Sequence, residues 1–426
     1  MTFALAVVPI ALLLLGFPIF MVLLTAVSVA LVFFMHVPLA ALHQNLFASV
    51  NATALLAVPF FIYAGELMGR GSVAQRLVDF VQGGVGSVRG SLGVTAVGTS
   101  AIFGAISGAS AATVATIGKV MVPAMRKAGY PETFTAGLIT AVGAIDVIIP
   151  PSIPMIVYGA AAEESVARLY AAGVIPGLLI AGMLAIYVVY RAKREGFGKG
   201  EPFDWERFRR SAGRSLWALG APVIILGGIY GGVFSPTEAA AVACVYAGLV
   251  TTLVFRELGL RDILEAAAST VMFTGQILII VACAGVFAWL LTVNQVPAQI
   301  TAWMQSFNIA PWMLLFAINI LLLLVGCVLD PLSAILLLSP LLVPIVKAAG
   351  IDTVHFGIVV TVNLAIGLFH PPFGINIFVA QTVLGLKLET IYRGIIPFVI
   401  IYLIALGLIT YIPDISLVGV RYLLAH

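Results

Sequence analysis

Seven runs in this chain, 18–35, 54–69, 167–190, 216–234, 236–254, 266–292 and 394–412, stay apolar over roughly the length a helix needs to cross a bilayer. A shorter run, 3–16, ends at Gly16-Phe17-Pro18. In lipid every backbone amide must find a partner within the protein, which leaves helices and closed barrels. Barrel strands alternate polar and apolar residues, and these runs do not. The spans are therefore read as helices. Composition agrees: 62% of the 426 residues are apolar, 9% are charged, and the mean hydropathy is +1.16. A soluble domain has about 25% charged and about 45–50% apolar residues. A soluble enzyme, a nucleic-acid binder and a secreted disulfide scaffold are excluded. The N-terminal run lacks a basic segment before it and continues past signal-peptide length, so no cleavable leader is expected. Cys244, Cys283 and Cys327 lie in apolar segments without metal-ligand spacing and read as small hydrophobes.

Four other stretches are apolar but interrupted. Residues 88–127 centre on the small and hydroxylic segment 104–113, residues 131–162 break at Pro150-Pro151, residues 311–346 near Asp330-Pro331, and residues 354–386 at His370-Pro371-Pro372. Each half is too short to cross alone, and broken backbone at membrane depth persists only where it is buried in protein or lines a wet cavity. One polar segment, 191–215, holds eight Lys/Arg and four Asp/Glu and divides the chain near its middle.

The two halves match without a gap at an offset of 221. Val122, Pro123, Ala128 and Gly129 meet Val343, Pro344, Ala349 and Gly350; Thr140, Ala144 and Ile145 meet Thr361, Ala365 and Ile366. Pro150 and Pro151 meet Pro371 and Pro372, and Gly173, Ile175 and Pro176 meet Gly394, Ile396 and Pro397. Chance between two Pro-containing apolar stretches does not hold one register over about 55 positions. Short cytoplasmic loops are enriched in Lys and Arg, so the 191–215 linker is expected in the cytoplasm. Counting outward from it puts 17 of the 21 basic residues inside, Arg168, Lys347 and Arg421 outside, and Lys119 within a hairpin. The first hairpin then dips from the cytoplasm, the second from the periplasm, and both termini lie outside. That is an inverted repeat. Paired broken helices in such a repeat indicate a secondary transporter with its site at the repeat interface. Each break frees carbonyls that can replace the water around Na⁺, and each restarted half-helix aims its positive dipole end at an anion.

Four segments, FGAISGASAATVATIG (103–118), VPAMRKAGYPETFTAGLITA (122–141), IIPPSIPMIVYG (148–159) and NLAIGLFHPPFGINIFVAQ (363–381), resemble the large membrane subunit of tripartite ATP-independent periplasmic (TRAP) transporters. The resemblance covers essentially the whole chain. It implies sodium-driven uptake of a small organic acid into the cell across the bacterial inner membrane. It also implies a periplasmic substrate-binding protein, a small four-helix membrane subunit, and an elevator in which a transport domain moves against a scaffold. The expected fold is an all-α polytopic membrane protein, an inverted-repeat elevator with two re-entrant hairpins and two broken transmembrane helices. Its first repeat, 1–190, comprises scaffold helices 3–69, hairpin 88–127, broken helix 131–162 and helix 167–190. Linker 191–215 follows. The second repeat, 216–426, comprises scaffold helices 216–292, hairpin 311–346, broken helix 354–386 and helix 394–412. The family commonly has Thr before the second Pro-Pro pair, where this chain has His370.

Candidate site residues gather at the breaks. Small residues ease helix packing, which accounts for Gly104, Ala105 and Gly108. Clustered hydroxyls at Ser107, Ser110 and Thr113 suit a sodium or substrate role better, with Thr113 having the further option of bonding its own helix. Asp330, followed by Pro331, reads both as an N-cap, with Ser333 a second acceptor, and as the neighbour of a cation. Asp146 is an equally costly intramembrane carboxylate, and facing an aqueous cavity is one setting open to it. Asn363 and Asn376 flank the second break; an amide oxygen suits Na⁺ and its NH₂ suits a carboxylate, while interhelical bonding is the plainer alternative. His370 reads as a satisfied imidazole that can also titrate near neutral pH. The expected substrate contacts are Ser107, Ser110, Pro150, Ser152 and Asn376. The expected sodium ligands are Gly104, Ser107, Ser110, Thr113, Gly143, Gly326, Asp330, Ser333, Asn363 and Gly367. Glu163 and Glu164 read as an exposed turn, Glu66 and Arg70 as an interfacial pair, and Phe203, Trp205 and the basic linker as resting on the inner membrane surface.

Two alternatives stand beside this reading: a self-sufficient anion symporter, and an intramembrane aspartyl hydrolase using Asp146 and Asp330. The second leaves the repeat idle, and the two aspartates do not coincide at the 221 offset. No GxxxxGK(S/T) loop is present, so an ion gradient rather than a nucleotide is the expected energy source.

Overall fold

The structure, a computed structural model, describes residues 7–35, 39–200, 202–307 and 309–424. Every regular element among them is helical. Six helices are long and apolar enough to span a membrane: Val166–Glu195, Trp205–Tyr230, Pro236–Val254, Leu260–Val293, Pro331–Ala348 and Leu388–Tyr411. A seventh is the pair Ala40–Val50 and Thr53–Arg70, bent by 57°. The start of the expected 3–16 helix, residues 3–6, lies outside the described residues; its remainder forms Val8–Leu14.

Each expected break is present. Ser91–Ser107 and Ser110–Lys127 pack together as a helical hairpin whose tip is Gly108, at φ +60°, and Ala109. Pro311–Gly326 and Pro331–Ala348 form the second hairpin. The first broken helix is Glu132–Asp146 and Ile153–Ala162; the second is Thr353–Gly367 and Ile375–Leu384. Consecutive prolines supply no amide donors, and the ladder stops around Pro150-Pro151 and Pro371-Pro372, both joined by cis bonds. Helix ends recur at the sequence offset of 221: 110–127 falls on 331–348 and 132–146 on 353–367. The bent pair beginning at Leu39 falls on the single long helix beginning at Leu260.

Burial separates these elements by role. All residues of 134–146 and 354–367 are buried; the first break, 147–152, is enclosed in protein, as lipid requires, whereas the second buries Leu368 and Phe369 but exposes Pro372 and Phe373. Trp205–Tyr230 and Pro236–Val254 are only 28% and 33% buried over their spans and present apolar side chains outward. Tight helix crossings rely on glycine: a Cβ on Gly137 would stand 2.0 Å from the Gly394 carbonyl oxygen.

The linker is shorter than its polarity suggests. Helix continues through Glu195 and resumes at Trp205, leaving only 196–200 and 202–204 irregular among the described residues of 191–215. Arg, Lys and Glu are good helix formers, and Asp204 caps the new helix by accepting from the amides of Glu206 and Arg207. Four further helices, Leu39–Val50, Val73–Val85, Val296–Ser306 and Asp414–Leu423, arise among the described residues where no span was expected.

Candidate functional site

Both hairpin tips and both breaks meet at one cavity of about 350 Å³. Four half-helices begin at its wall: Ser110 and Ala111 open 110–127, Ile153 and Pro154 open 153–162, Pro331 and Leu332 open 331–348, and Ile375 opens 375–384. The long helix Leu260–Val293 closes the remaining side with Phe273, Gln276, Ile277 and Ile280. Helix N-termini carry unsatisfied amides and the positive end of the macrodipole, so four of them aimed at one space favour an anion there.

The four ends are not equally open. Asp330 caps 331–348: its Oδ2 accepts from the Leu332 and Ser333 amides at 3.1 Å each, and its Oδ1 from the Ser333 hydroxyl at 2.5 Å. Ser152 caps 153–162 through the Met155 amide, and its hydroxyl donates to the Val147 carbonyl at 2.5 Å across the break. By contrast, no side chain caps 110–127 after Ala109, or 375–384 after Gly374. These two uncapped ends are joined by buried Ser110 and Asn376, whose hydroxyl and amide bond each other at 2.8 and 3.1 Å; Asn376 also donates to the Thr140 carbonyl.

Below the first hairpin lies Asp146, with no solvent exposure. Of the settings open to it, the structure shows the dry one: the hairpin tip covers it. Thr113 donates to its Oδ2, so Thr113 reaches a neighbouring helix rather than bonding its own. Its Oδ1 has no hydrogen-bond partner among the described residues. Gly104 makes the approach possible, since a Cβ there would stand 2.7 Å from the Asp146 Cα. Gly143 plays the same part against Val114, and Gly108 against the Pro151 carbonyl. In the second half Gly326 and Gly367 meet backbone to backbone, a Cβ on Gly367 falling 2.5 Å from the Gly326 oxygen. Asn363 donates to the backbone and side-chain oxygens of Asn319 at 3.0 and 2.8 Å. Its own Oδ1, buried, is likewise without a hydrogen-bond partner among the described residues. Each broken helix thus holds an orphaned buried carboxylate or amide oxygen, a place where a cation fits, and the first also holds the unpartnered Thr135 hydroxyl.

The remaining expected residues lie as follows. Ser107 is buried with its backbone against Gly65, and Pro150 is buried in the first break. The engaged hydroxyl of Ser152 makes it a structural cap rather than a free ligand in this conformation. His370 is half-buried, 3.3 Å from the Cys327 sulfur. Glu66 pairs with Arg70, which also reaches Glu265. Glu164 departs from the expected exposed turn: it accepts from the Thr353 hydroxyl and pairs with Arg168. Asp146 stood outside the expected ligand set, although a lone carboxylate on an apolar helix was its signal.

The profile of the tripartite ATP-independent periplasmic transporter DctM component matches residues 6–415. The chain belongs to this TRAP family. It is similar to the C4-dicarboxylate TRAP transporter large permease protein DctM of Pseudomonas aeruginosa, 42% identical over 88% of this chain and 87% of that protein. It is 40% identical to the ectoine TRAP transporter large permease protein TeaC of Halomonas elongata over 98% of each chain. With the 2,3-diketo-L-gulonate TRAP transporter large permease protein YiaN of Escherichia coli it shares 35% identity over 89% of each. Its fold is that of the crystal structure of the Alcanivorax borkumensis YdaH transporter, with a TM-score of 0.68, 13% identity, and 98% and 99% of the two chains covered. TRAP large permeases are multi-pass inner-membrane transport subunits and not enzymes, which sets the hydrolase alternative aside. Asp146, on the first broken helix, is engaged by Thr113 of the first hairpin, and Asp330 is engaged within the second hairpin.

Proposed function

We propose that this TRAP large permease takes up a small carboxylate with Na⁺, binding it in the cavity where the four half-helices begin. The observation that carries this reading is the pairing of the two uncapped N-termini, at Ser110 and Asn376, at that cavity. The first amides of 110–127, at Ser110 and Ala111, form an anion-receptive surface without an arginine; Asn376 spends its NH₂ on the Ser110 hydroxyl and the Thr140 carbonyl and holds that end in place. Relatives named for C4-dicarboxylates and for 2,3-diketo-L-gulonate support a carboxylate substrate. Asp146 Oδ1 and Asn363 Oδ1 are the side-chain oxygens that complete two sodium shells, with Thr113 positioning the first and Asp330 adding negative charge beside the cavity. Backbone carbonyls freed near Ser107, Gly143, Gly326 and Gly367 supply the rest.

The halves run in opposite senses across the membrane, with the linker cytoplasmic, both termini periplasmic and the two hairpins re-entrant. The basic-residue count supports that sidedness. Cysteines at Lys193, which is exposed, and near His426 should differ in labelling by an impermeant reagent; equal labelling of both from outside contradicts it. Hairpins and broken helices form the transport domain, which slides as an elevator against a scaffold containing Leu260–Val293. A periplasmic binding protein delivers substrate near 163–170 and 293–311. A small membrane subunit covers lipid-facing helices such as Ile19–Phe34 and 216–254.

Vesicles holding this chain and its small partner test the reading. Radiolabelled succinate should enter only with binding protein outside and an inward sodium gradient. Robust sodium-driven uptake of free succinate by this chain alone favours a self-sufficient symporter and overturns the tripartite assignment.

A further inference from the structure

The irregular linker is built onto the first hairpin's base. The Gly90 amide donates to the Gly198 carbonyl at 2.8 Å, and a Cβ on Gly200 would stand 2.6 Å from Ser87, so the loop lies directly on this backbone. Phe197 is buried against Tyr130 and Phe134, with ring centroids 4.8 and 5.1 Å away. Beyond it the chain turns outward. Phe203 and Trp205 are 50% and 63% exposed and form one aromatic cluster with Phe208, which stacks on Phe80 at 5.7 Å.

Between the loop and the hairpin base is a cavity of about 100 Å³, lined by Gly86, Ser91, Lys199, Phe203, Asp204 and Arg207. Two cations and one carboxylate face it, and one oxygen of that carboxylate caps the helix beginning at Trp205. Basic residues outnumber acidic ones two to one across 191–215, eight against four: Arg207, Arg210 and Arg214 follow one helical stripe, and Arg191, Lys193 and Arg194 end the preceding helix, Arg191 paired with Glu195. Exposed aromatic rings beside clustered Lys/Arg at the end of a spanning helix match the interfacial region of a bilayer with anionic headgroups.

We propose that this cavity binds the headgroup of an anionic phospholipid, with Lys199 and Arg207 on the phosphate and Phe203 and Trp205 inserted among the acyl-chain ends. The site lies apart from the transport cavity, and its occupancy is independent of sodium, substrate and sidedness.

The probe is Trp205 fluorescence in full-length protein reconstituted in phosphatidylcholine vesicles containing a minor fraction of brominated lipid. The Trp205→Phe variant is subtracted to isolate the signal. Brominated phosphatidylglycerol should quench Trp205 more than brominated phosphatidylcholine at equal mole fraction. One basic side chain near an anionic surface enriches such a lipid about fivefold, so a variant combining Lys199→Gln, Arg207→Gln and Arg210→Gln should lose at least about tenfold in apparent lipid affinity. The charge-keeping set Lys199→Arg, Arg207→Lys and Arg210→Lys should retain it. With the wild-type protein alone, raising salt should erode the preference, an arm that stands if a variant fails to fold. Equal quenching by both lipids at low salt overturns the proposal, as does a preference that survives the triple Gln change. Loss of the preference on adding inorganic phosphate at constant ionic strength marks a soluble-anion site and also overturns it.

Discussion

The two halves of the molecule repeat each other in backbone but exchange their chemistry. At the 221 offset Ala109 stands where Asp330 caps the second hairpin, and Asp146 stands where Gly367 crosses Gly326. The first hairpin therefore leaves its N-terminus open and keeps its carboxylate beneath the tip. The second closes its N-terminus with its own carboxylate. The broken helices reverse this: Ser152 caps the first, and no side chain among the described residues caps the second, where the Leu368 carbonyl accepts from the Asn376 amide. The open ends, one from each half, are the pair held together by Ser110 and Asn376. A repeat of breaks builds the frame, and departures from it divide the anion's place from the cations' places.

The sharpest break in this comparison comes from the aspartates. Removing one charge of a buried pair costs about 2–5 kcal/mol, so Asp146→Asn should raise the sodium concentration for half-maximal vesicle uptake on the order of a hundredfold. Asp330 spends its oxygens on the cap, so Asp330→Asn should raise it about tenfold or less and lower stability by about 1 kcal/mol. The reverse order in a sodium titration would show that the second half, not the first, holds the governing carboxylate. Next come the close crossings. Gly104→Ala and Gly367→Ala put a methyl 2.7 and 2.5 Å from backbone atoms, and each should cost about 1–3 kcal/mol, read as a fall in Tm. Gly182→Ala, with nothing within 4 Å of the added carbon, should not lower it.

A smaller effect separates the two asparagines. Interhelical hydrogen bonds in membranes are worth about 0.6–2 kcal/mol. Asn376→Ala should raise the substrate KM about tenfold and leave sodium dependence unchanged, whereas Asn363→Ala should do the opposite. Both variants shifting the same parameter would merge the subsites. The smallest effect lies outside the membrane, where the halves meet at Ser72, Arg76 and Glu257. Partial burial works against the Glu257 charge, but the Ser72 hydroxyl and amide and the Arg76 guanidinium prevail and hold its carboxyl below the usual range. Its contribution, at most about 1 kcal/mol, is present above the ordinary glutamate value and is lost as pH falls through the lowered one. Glu257→Gln should remove that part of the acid-side Tm slope.

Much of the frame was legible because lipid constrains it: the spans, the four breaks and the 221 register need only apolar length and proline. The Asp330 cap was legible too, because a capping side chain bonds amides two and three residues away. The Thr113–Asp146 and Ser110–Asn376 contacts join residues 33 and 266 apart. Only packing decides which helix faces meet, so periodicity cannot place them. Leu39–Val50 and Val73–Val85 escaped because neither is long and apolar enough to cross alone, and the linker's helical ends were hidden by their charge.

The central claim is that one cavity, assembled from both halves, receives the substrate. Cysteines introduced by Ala111→Cys and by Leu332→Cys, each half-exposed at that cavity, test it in a background with Cys244, Cys283 and Cys327 replaced. Succinate-loaded binding protein together with sodium should slow thiol labelling at both positions to a similar degree. Protection of one position only, or of neither while uptake persists, would contradict a shared site.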